Sequence, residues 1–119
     1  SVSSGLFGLL NNRFQYSFLQ TLILTVFLNL FFQTIKSDEM FDIGKDVFLN
    51  KGNCAACHSL SDAGSVGQIG PNLDQIKPEI IRISNAVKMG IGVMPAFEGI
   101  LTDKEIESVS SYVFESTNK

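Results

Sequence analysis

Residues 14–35 carry no charged side chain, a run of 22 bounded by Arg13 and Lys36, with its most apolar part at Thr21-Leu22-Ile23-Leu24-Thr25-Val26-Phe27-Leu28-Asn29-Leu30-Phe31-Phe32. A helix that is apolar on every side must be covered all round, and the rest of this chain is too small to cover it. The run is therefore expected to be a targeting or anchoring element, residues 1–37, separate from a folded domain at 38–119. Two versions stay open. The apolar core suits the central region of a secretory signal, and 22 uncharged residues are just long enough to span a bilayer. Gln20, Asn29 and Gln33 weaken the spanning version. The lack of an Ala-x-Ala site weakens the cleaved one, for which Ile35-Lys36-Ser37 before Asp38 is the best junction. Either version places the domain outside the cytoplasm, in a periplasm or a thylakoid lumen. The chain begins with Ser1 rather than Met, which leaves open whether its natural N-terminus lies upstream.

Charge follows the same division. All 12 acidic residues lie in residues 38–119 with seven of the nine basic ones, so that part carries −5 and residues 1–37 carry +2. An acidic domain argues against nucleic acid and favours a partner with a positive docking face. The remaining 82 residues make one small fold. A core of that size supplies only about 3–5 kcal/mol and usually needs a staple.

Cys54-Ala55-Ala56-Cys57-His58 offers one. Two thiols three positions apart can add to the two vinyl groups of a porphyrin, and the histidine directly after them can ligate its iron. These are the only cysteines and the only histidine in the chain. A thioredoxin-like site would need a strand before Cys54, and the preceding segment reads as helix. A structural zinc site would need four ligands. A disulfide between Cys54 and Cys57 would close too small a loop to stabilise much. The motif thus points to one covalent haem c, around which short helices pack.

An all-α domain of three main helices is expected. Met40, Ile43, Gly44, Val47 and Phe48 form a stripe for a helix from about Asp38 to Asn50, stopping at Gly52. Residues 59–76, with Gly64, Gly67, Gly70 and Pro71, read as a packed loop. A second helix is expected to open at Lys77-Pro78-Glu79, with Pro78 in the first helical position, and to end at Gly90. The third starts at Thr102-Asp103-Lys104-Glu105, a capping box, and buries Ile106, Val109, Tyr112 and Val113. No segment alternates long enough to be a strand.

A haem iron held by His58 has a sixth position to fill. Met40 sits on the first helix and reads as core, while Met89 ends the second and could be core or surface. Met94 lies in the loop Gly90-Ile91-Gly92-Val93-Met94-Pro95-Ala96-Phe97, where glycines let the chain turn and Pro95 fixes the backbone after the sulfur. A mid-helix methionine is usually a gap-filler, so Met94 is the expected ligand. His/Met ligation raises the reduction potential relative to His/His and leaves no open coordination site, which points to one-electron transfer. Pro71 has two readings: its carbonyl could accept the second ring N–H of His58, or it could merely shape a turn.

Together these features resemble the class I cytochromes c, the small monohaem electron carriers. The resemblance runs from about residue 39 to the C-terminus. It rests on Gly44-Lys45-Asp46-Val47-Phe48, Cys54-Ala55-Ala56-Cys57-His58, Gly70-Pro71-Asn72-Leu73, Met94-Pro95-Ala96-Phe97 and the last helix with Tyr112. It implies that the first and last helices cross at Gly44, Phe48 and Tyr112, and that Pro71 is the carbonyl partner of His58. Met-Pro-Ala-Phe is similar to the carriers of cyanobacterial and algal photosynthesis, whereas Gly-Pro-Asn-Leu is similar to proteobacterial and respiratory members. The expected function is an electron shuttle, soluble or anchored, between redox proteins of a respiratory or photosynthetic chain. The alternative is the haem c subunit of a periplasmic oxidoreductase complex, serving a catalytic partner such as a sulfur-compound or alcohol dehydrogenase. A haem enzyme with open iron, such as a peroxidase, would need Met94 off the metal and a distal His or Arg constellation that is not visible.

Overall fold

The computed structural model describes the backbone of residues 2–119 and the side chains of residues 12–119. It divides into two compact units, one ending at Lys36 and the other running Ser37–Lys119. Helix α1 spans Val2–Asp46, so the helix expected to start at Asp38 has no start there. The change from apolar to charged residues at 36–39 marks a change of surroundings. Nothing between residues 14 and 43 breaks a helix, since that stretch holds neither proline nor glycine. In the first unit the apolar window of this helix is unburied and long enough to cross a membrane. Phe14, Leu24, Phe27, Phe31 and Phe32 are all exposed.

The second unit begins with the end of α1. Its last turn widens over Val47–Lys51, where the Gly52 N–H reaches back five residues to the Val47 carbonyl at 2.7 Å. That π-type turn keeps Val47 and Phe48 both inside the core. Residues 59–76 are more ordered than the expected loop. Two short strands, β1 (Ser59–Leu60) and β2 (Ser65–Val66), pair antiparallel, with Ser59 opposite Val66. Helix α2, Leu73–Ile76, is capped by Asn72, whose side chain accepts from the Gln75 N–H at 3.2 Å. Asp74 takes hydrogen bonds from the Ser61 N–H and hydroxyl at 2.8 and 2.9 Å, which ties α2 to the strand pair. Such pieces are too short for any periodicity to show.

Helix α3 spans Ile80–Met89 with Glu79 as its N-cap, so Pro78 precedes the helix instead of opening it. The Glu79 carbonyl accepts from the N–H groups of Arg82 and Ile83. Helix α4, Asp103–Thr117, starts at the expected capping box: Thr102 Oγ1 accepts from the Glu105 N–H at 3.2 Å, and Glu105 accepts from the Thr102 N–H at 2.8 Å. Lys51 pairs with Glu105, and this contact is the main cause holding the Glu105 carboxyl below its usual range.

The end of α1 crosses α4 with almost no space between them. A Cβ on Gly44 would lie 2.2 Å from the Ser108 carbonyl oxygen and 2.6 Å from Tyr112 Cβ. The Tyr112 ring sits 4.9 Å from Phe41 in an edge-on arrangement and 5.8 Å from Phe48. Because the first obstacle is backbone, Gly44→Ala cannot be relieved by a rotamer change. It should cost on the order of 3 kcal/mol, read as a lower urea midpoint with an unchanged slope.

The Tyr112 hydroxyl donates to Asp62 at 2.8 Å. Lys119 and Lys45 reach the same carboxylate at 2.7 and 3.2 Å. The hydrogen bond from Lys119, helped by those from Tyr112 and Lys45, holds the Asp62 carboxyl down at about 2, against an ordinary 3.8. A depressed carboxylate pKa adds stability that is complete above the unfolded value and is lost as pH falls through the folded one. Between about pH 4 and pH 2 the domain should therefore lose on the order of 1–2 kcal/mol through this group. Asp62→Asn should remove that part of the acid dependence, measured as the difference in urea midpoints between pH 6 and pH 3.

Candidate functional site

Asn53 sets the geometry of the Cys-x-x-Cys-His turn. It sits in the left-handed region at φ 50°, which asparagine tolerates better than most residues, and the chain then closes one tight turn over Cys54–Ala56. The N–H groups of Cys57 and His58 both return to the Cys54 carbonyl, at 3.1 and 2.9 Å. Both thiols are partly buried and neither is in a disulfide. Burial pushes the Cys54 thiol up to about 11.

A second segment folds over this turn. The Gly70 N–H donates to the Cys57 carbonyl at 2.8 Å, and His58 Nδ1 lies 2.9 Å from the Pro71 carbonyl oxygen. A carbonyl can only accept, so Nδ1 carries a proton, and in the neutral ring Nε2 is then the nitrogen with the lone pair. Of the two readings of Pro71, the geometry shows the carbonyl partner. Two glycines make the approach possible. A Cβ on Gly70 would lie 2.5 Å from the imidazole Cε1, and one on Gly67 would lie 2.5 Å from the Cys57 carbonyl carbon. In the sequence Gly67 reads only as a loop residue, and Gly70 also as part of the Gly-Pro-Asn-Leu stretch that carries the resemblance. Their i, i+3 spacing just after the motif was the one available signal. Asn53 was likewise missed.

The structure thus brings Cys54, Cys57, His58 and Pro71 together. Met94 comes from a separate loop. Its backbone is fixed by a reciprocal pair with Ile91, N–H to carbonyl at 2.9 Å one way and 3.2 Å the other, around Gly92 at φ 58°. The Phe97 N–H donates to the Val87 carbonyl at 2.9 Å and folds the loop back on the end of α3. Met94 is partly buried and packs on the same core as Cys54 and Ala55. Met89 is 68% exposed, and Met40 is only partly buried.

The surroundings fit a large apolar plate. Val66 and Ile69, beside the His58 cradle, are 82% and 72% exposed, and Val93, next to Met94, is 87% exposed. Bare aliphatic side chains next to the residues that contact His58, and next to Met94, suit an apolar cofactor better than a hydrated ion. Among the described residues no three His, Cys, Asp or Glu side chains gather as a bare-metal site. A soft thioether and an imidazole with a free lone pair are ligands suited to haem iron.

The family described as cytochrome C oxidase, cbb3-type, subunit III matches residues 39–113. The chain is 36% identical to cytochrome c6 of Bryopsis maxima over 88 residues, which take in 66% of this chain and 93% of that protein. It is 39% identical to cytochrome c6 of Diacronema lutheri over 75 residues, 59% of this chain and 88% of that one. The crystal structure of the c-type cytochrome SorU from Sinorhizobium meliloti superposes with a TM-score of 0.65 at 48% identity, covering 69% of this chain and 95% of that one. A mainly helical domain carrying a Cys-x-x-Cys-His turn and matched in this way is a c-type cytochrome. The chain belongs to the matched family and, with these relatives, to the small class I members. Its role is that of an electron carrier working with redox partners, not that of an enzyme.

Proposed function

We propose that residues 38–119 hold one haem c through thioether bonds from Cys54 and Cys57, with His58 and Met94 as axial ligands. The domain then carries single electrons between redox proteins on the extracytoplasmic side of a membrane. The three main helices and the loops at 59–76 and 90–101 would surround the group. When bound, the haem supplies an iron that alternates between Fe(III) and Fe(II). The chain's part is to tether it, orient it and bias it. The observation that carries this reading is the Nδ1–H of His58 committed to the Pro71 carbonyl, which leaves Nε2 as the nitrogen available to a metal and raises its basicity. Met94 would offer the bound iron a soft thioether, a ligand that favours Fe(II). Residues 14–35 cross the bilayer as a retained anchor: they lie in a helix long and apolar enough to span it, and no Ala-x-Ala site follows them. Arg13 stays on the cytoplasmic side, in line with the positive-inside bias. The surface charge of −5 recommends partners with a positive docking face.

Extraction of the denatured protein with acidified organic solvent tests the attachment. The haem should remain on the polypeptide, and no free thiol should be titratable. Haem that extracts freely would overturn the reading.

A second reading has one observation in its favour. The matched family takes its name from a subunit of an oxidase, which suits a haem c subunit of a membrane or periplasmic oxidoreductase complex. Co-elution of the native protein with a stable catalytic subunit would favour the complex, and elution alone would favour the shuttle.

A further inference from the structure

The membrane helix carries a row of polar side chains at strict four-residue steps: Ser17, Thr21, Thr25, Asn29 and Gln33. Most of the other residues from 18 to 32 are aliphatic or phenylalanine, with Gln20 the one polar exception. Residues four apart lie on one ridge of a helix, the ridge used when two helices pack by interdigitating like rows. The upper part of the row satisfies itself. Thr21 Oγ1 donates to the Ser17 carbonyl at 2.9 Å, and Thr25 Oγ1 to the Thr21 carbonyl at 2.8 Å. The lower part does not. The carboxamides of Asn29 and Gln33 are exposed and take part in none of the hydrogen bonds among the described residues.

Asn29 lies seven residues inside Lys36, where no water can satisfy its amide and a bare one opposes insertion, and Gln33 continues the row toward the headgroup boundary. A carboxamide is both donor and acceptor, so it is complementary to an identical carboxamide across a two-fold axis. All copies enter the membrane in one orientation, which puts Asn29 opposite Asn29 in a parallel pair. We propose that this ridge is a homodimer interface: two copies of the chain associate in the bilayer through Thr25, Asn29 and Gln33, crossing at about −50° as two four-residue ridges do. The dimer would hold two electron-carrying domains on one membrane face. It rests on the retained-anchor reading above.

The test uses the full-length holoprotein in detergent micelles, with sedimentation read at the haem absorbance across a range of protein-to-detergent ratios. Intact mass and membrane pelleting are measured on the same preparation. Wild type should be dimeric. Asn29→Leu and Gln33→Leu, which make the helix more apolar, should each weaken dimerisation about 5–30-fold. Gln20→Leu, off the row, should change it less than about twofold. An intact, membrane-bound wild type that stays monomeric at every ratio would overturn the dimer and leave the anchor standing. Equal losses from Gln20→Leu and Asn29→Leu would overturn the interface. A mature chain lacking residues 1–37 would overturn anchor and dimer together.

Discussion

A variant with both Cys54→Ala and Cys57→Ala should have no cooperative unfolding transition and no haem bound after denaturing electrophoresis. The second unit buries only eleven apolar side chains, from Val47 to Val113. A core that small, in a fold this short, is worth about 3–5 kcal/mol at best, close to the limit for independent folding. Val66, Ile69 and Val93 have no protein cover, so the apolar area they could bury stabilises nothing until a plate lies against them. Two thioether tethers would hold that plate at high effective concentration beside His58, and removing both would leave only weak reversible association. Either single variant should keep one tether and an intermediate melting temperature. Far-UV circular dichroism against temperature reads the first outcome, and peroxidase staining of the denatured band reads the second. A double variant melting like wild type would mean that the core suffices, and the staple argument would fail.

Much of this architecture could be read directly because its causes are local. The capping box at Thr102 and Glu105 acts within four residues, and the stripe Ile106, Val109, Tyr112, Val113 needs only the helical repeat; all four are buried as expected. Gly44, Phe48 and Tyr112 came from the family resemblance, and the crossing they imply is present: a Cβ added to Gly44 would lie only 2.6 Å from Tyr112 Cβ. Other features have causes far away in the chain. Gly67 and Gly70 are glycines because Cys57 and His58 lie against them, which no local pattern encodes. Asp62 looks like any loop acid, yet it gathers Lys45, Tyr112 and Lys119 from three segments. The misplaced start at Asp38 has a different origin. Charge reports what surrounds a helix, and backbone continuity depends on residues that break it; between 14 and 43 there are none. Pro78 is a milder case, since its fixed φ suits the segment before the Glu79 cap as well as a first turn.

Met94→Ala should abolish the weak near-infrared sulfur-to-iron band of the oxidised protein and let cyanide and carbon monoxide bind. The reduction potential should fall on the order of a tenth of a volt or more, within the roughly 0.8 V that axial ligands span. The prediction depends on how the loop is built. The Ile91–Met94 pair fixes the Met94 backbone, and Gly90 at φ 73° leaves no room for a side chain, since a Cβ there would lie 2.6 Å from the Met94 carbonyl oxygen. A thioether on so constrained a loop is positioned in advance, and the entropy of ordering it has already been met by the fold. The other two methionines lack that support. Met89 is largely exposed at the end of α3, so Met89→Ala should keep the band and change stability by less than about 0.5 kcal/mol. Met40→Ala should keep the band as well and cost some packing. If the band survives Met94→Ala, the ligand is another methionine. If wild type shows no band and binds carbon monoxide readily, the sixth position is open, and Met94 serves as packing beside Phe97 rather than as the group that biases the iron toward Fe(II).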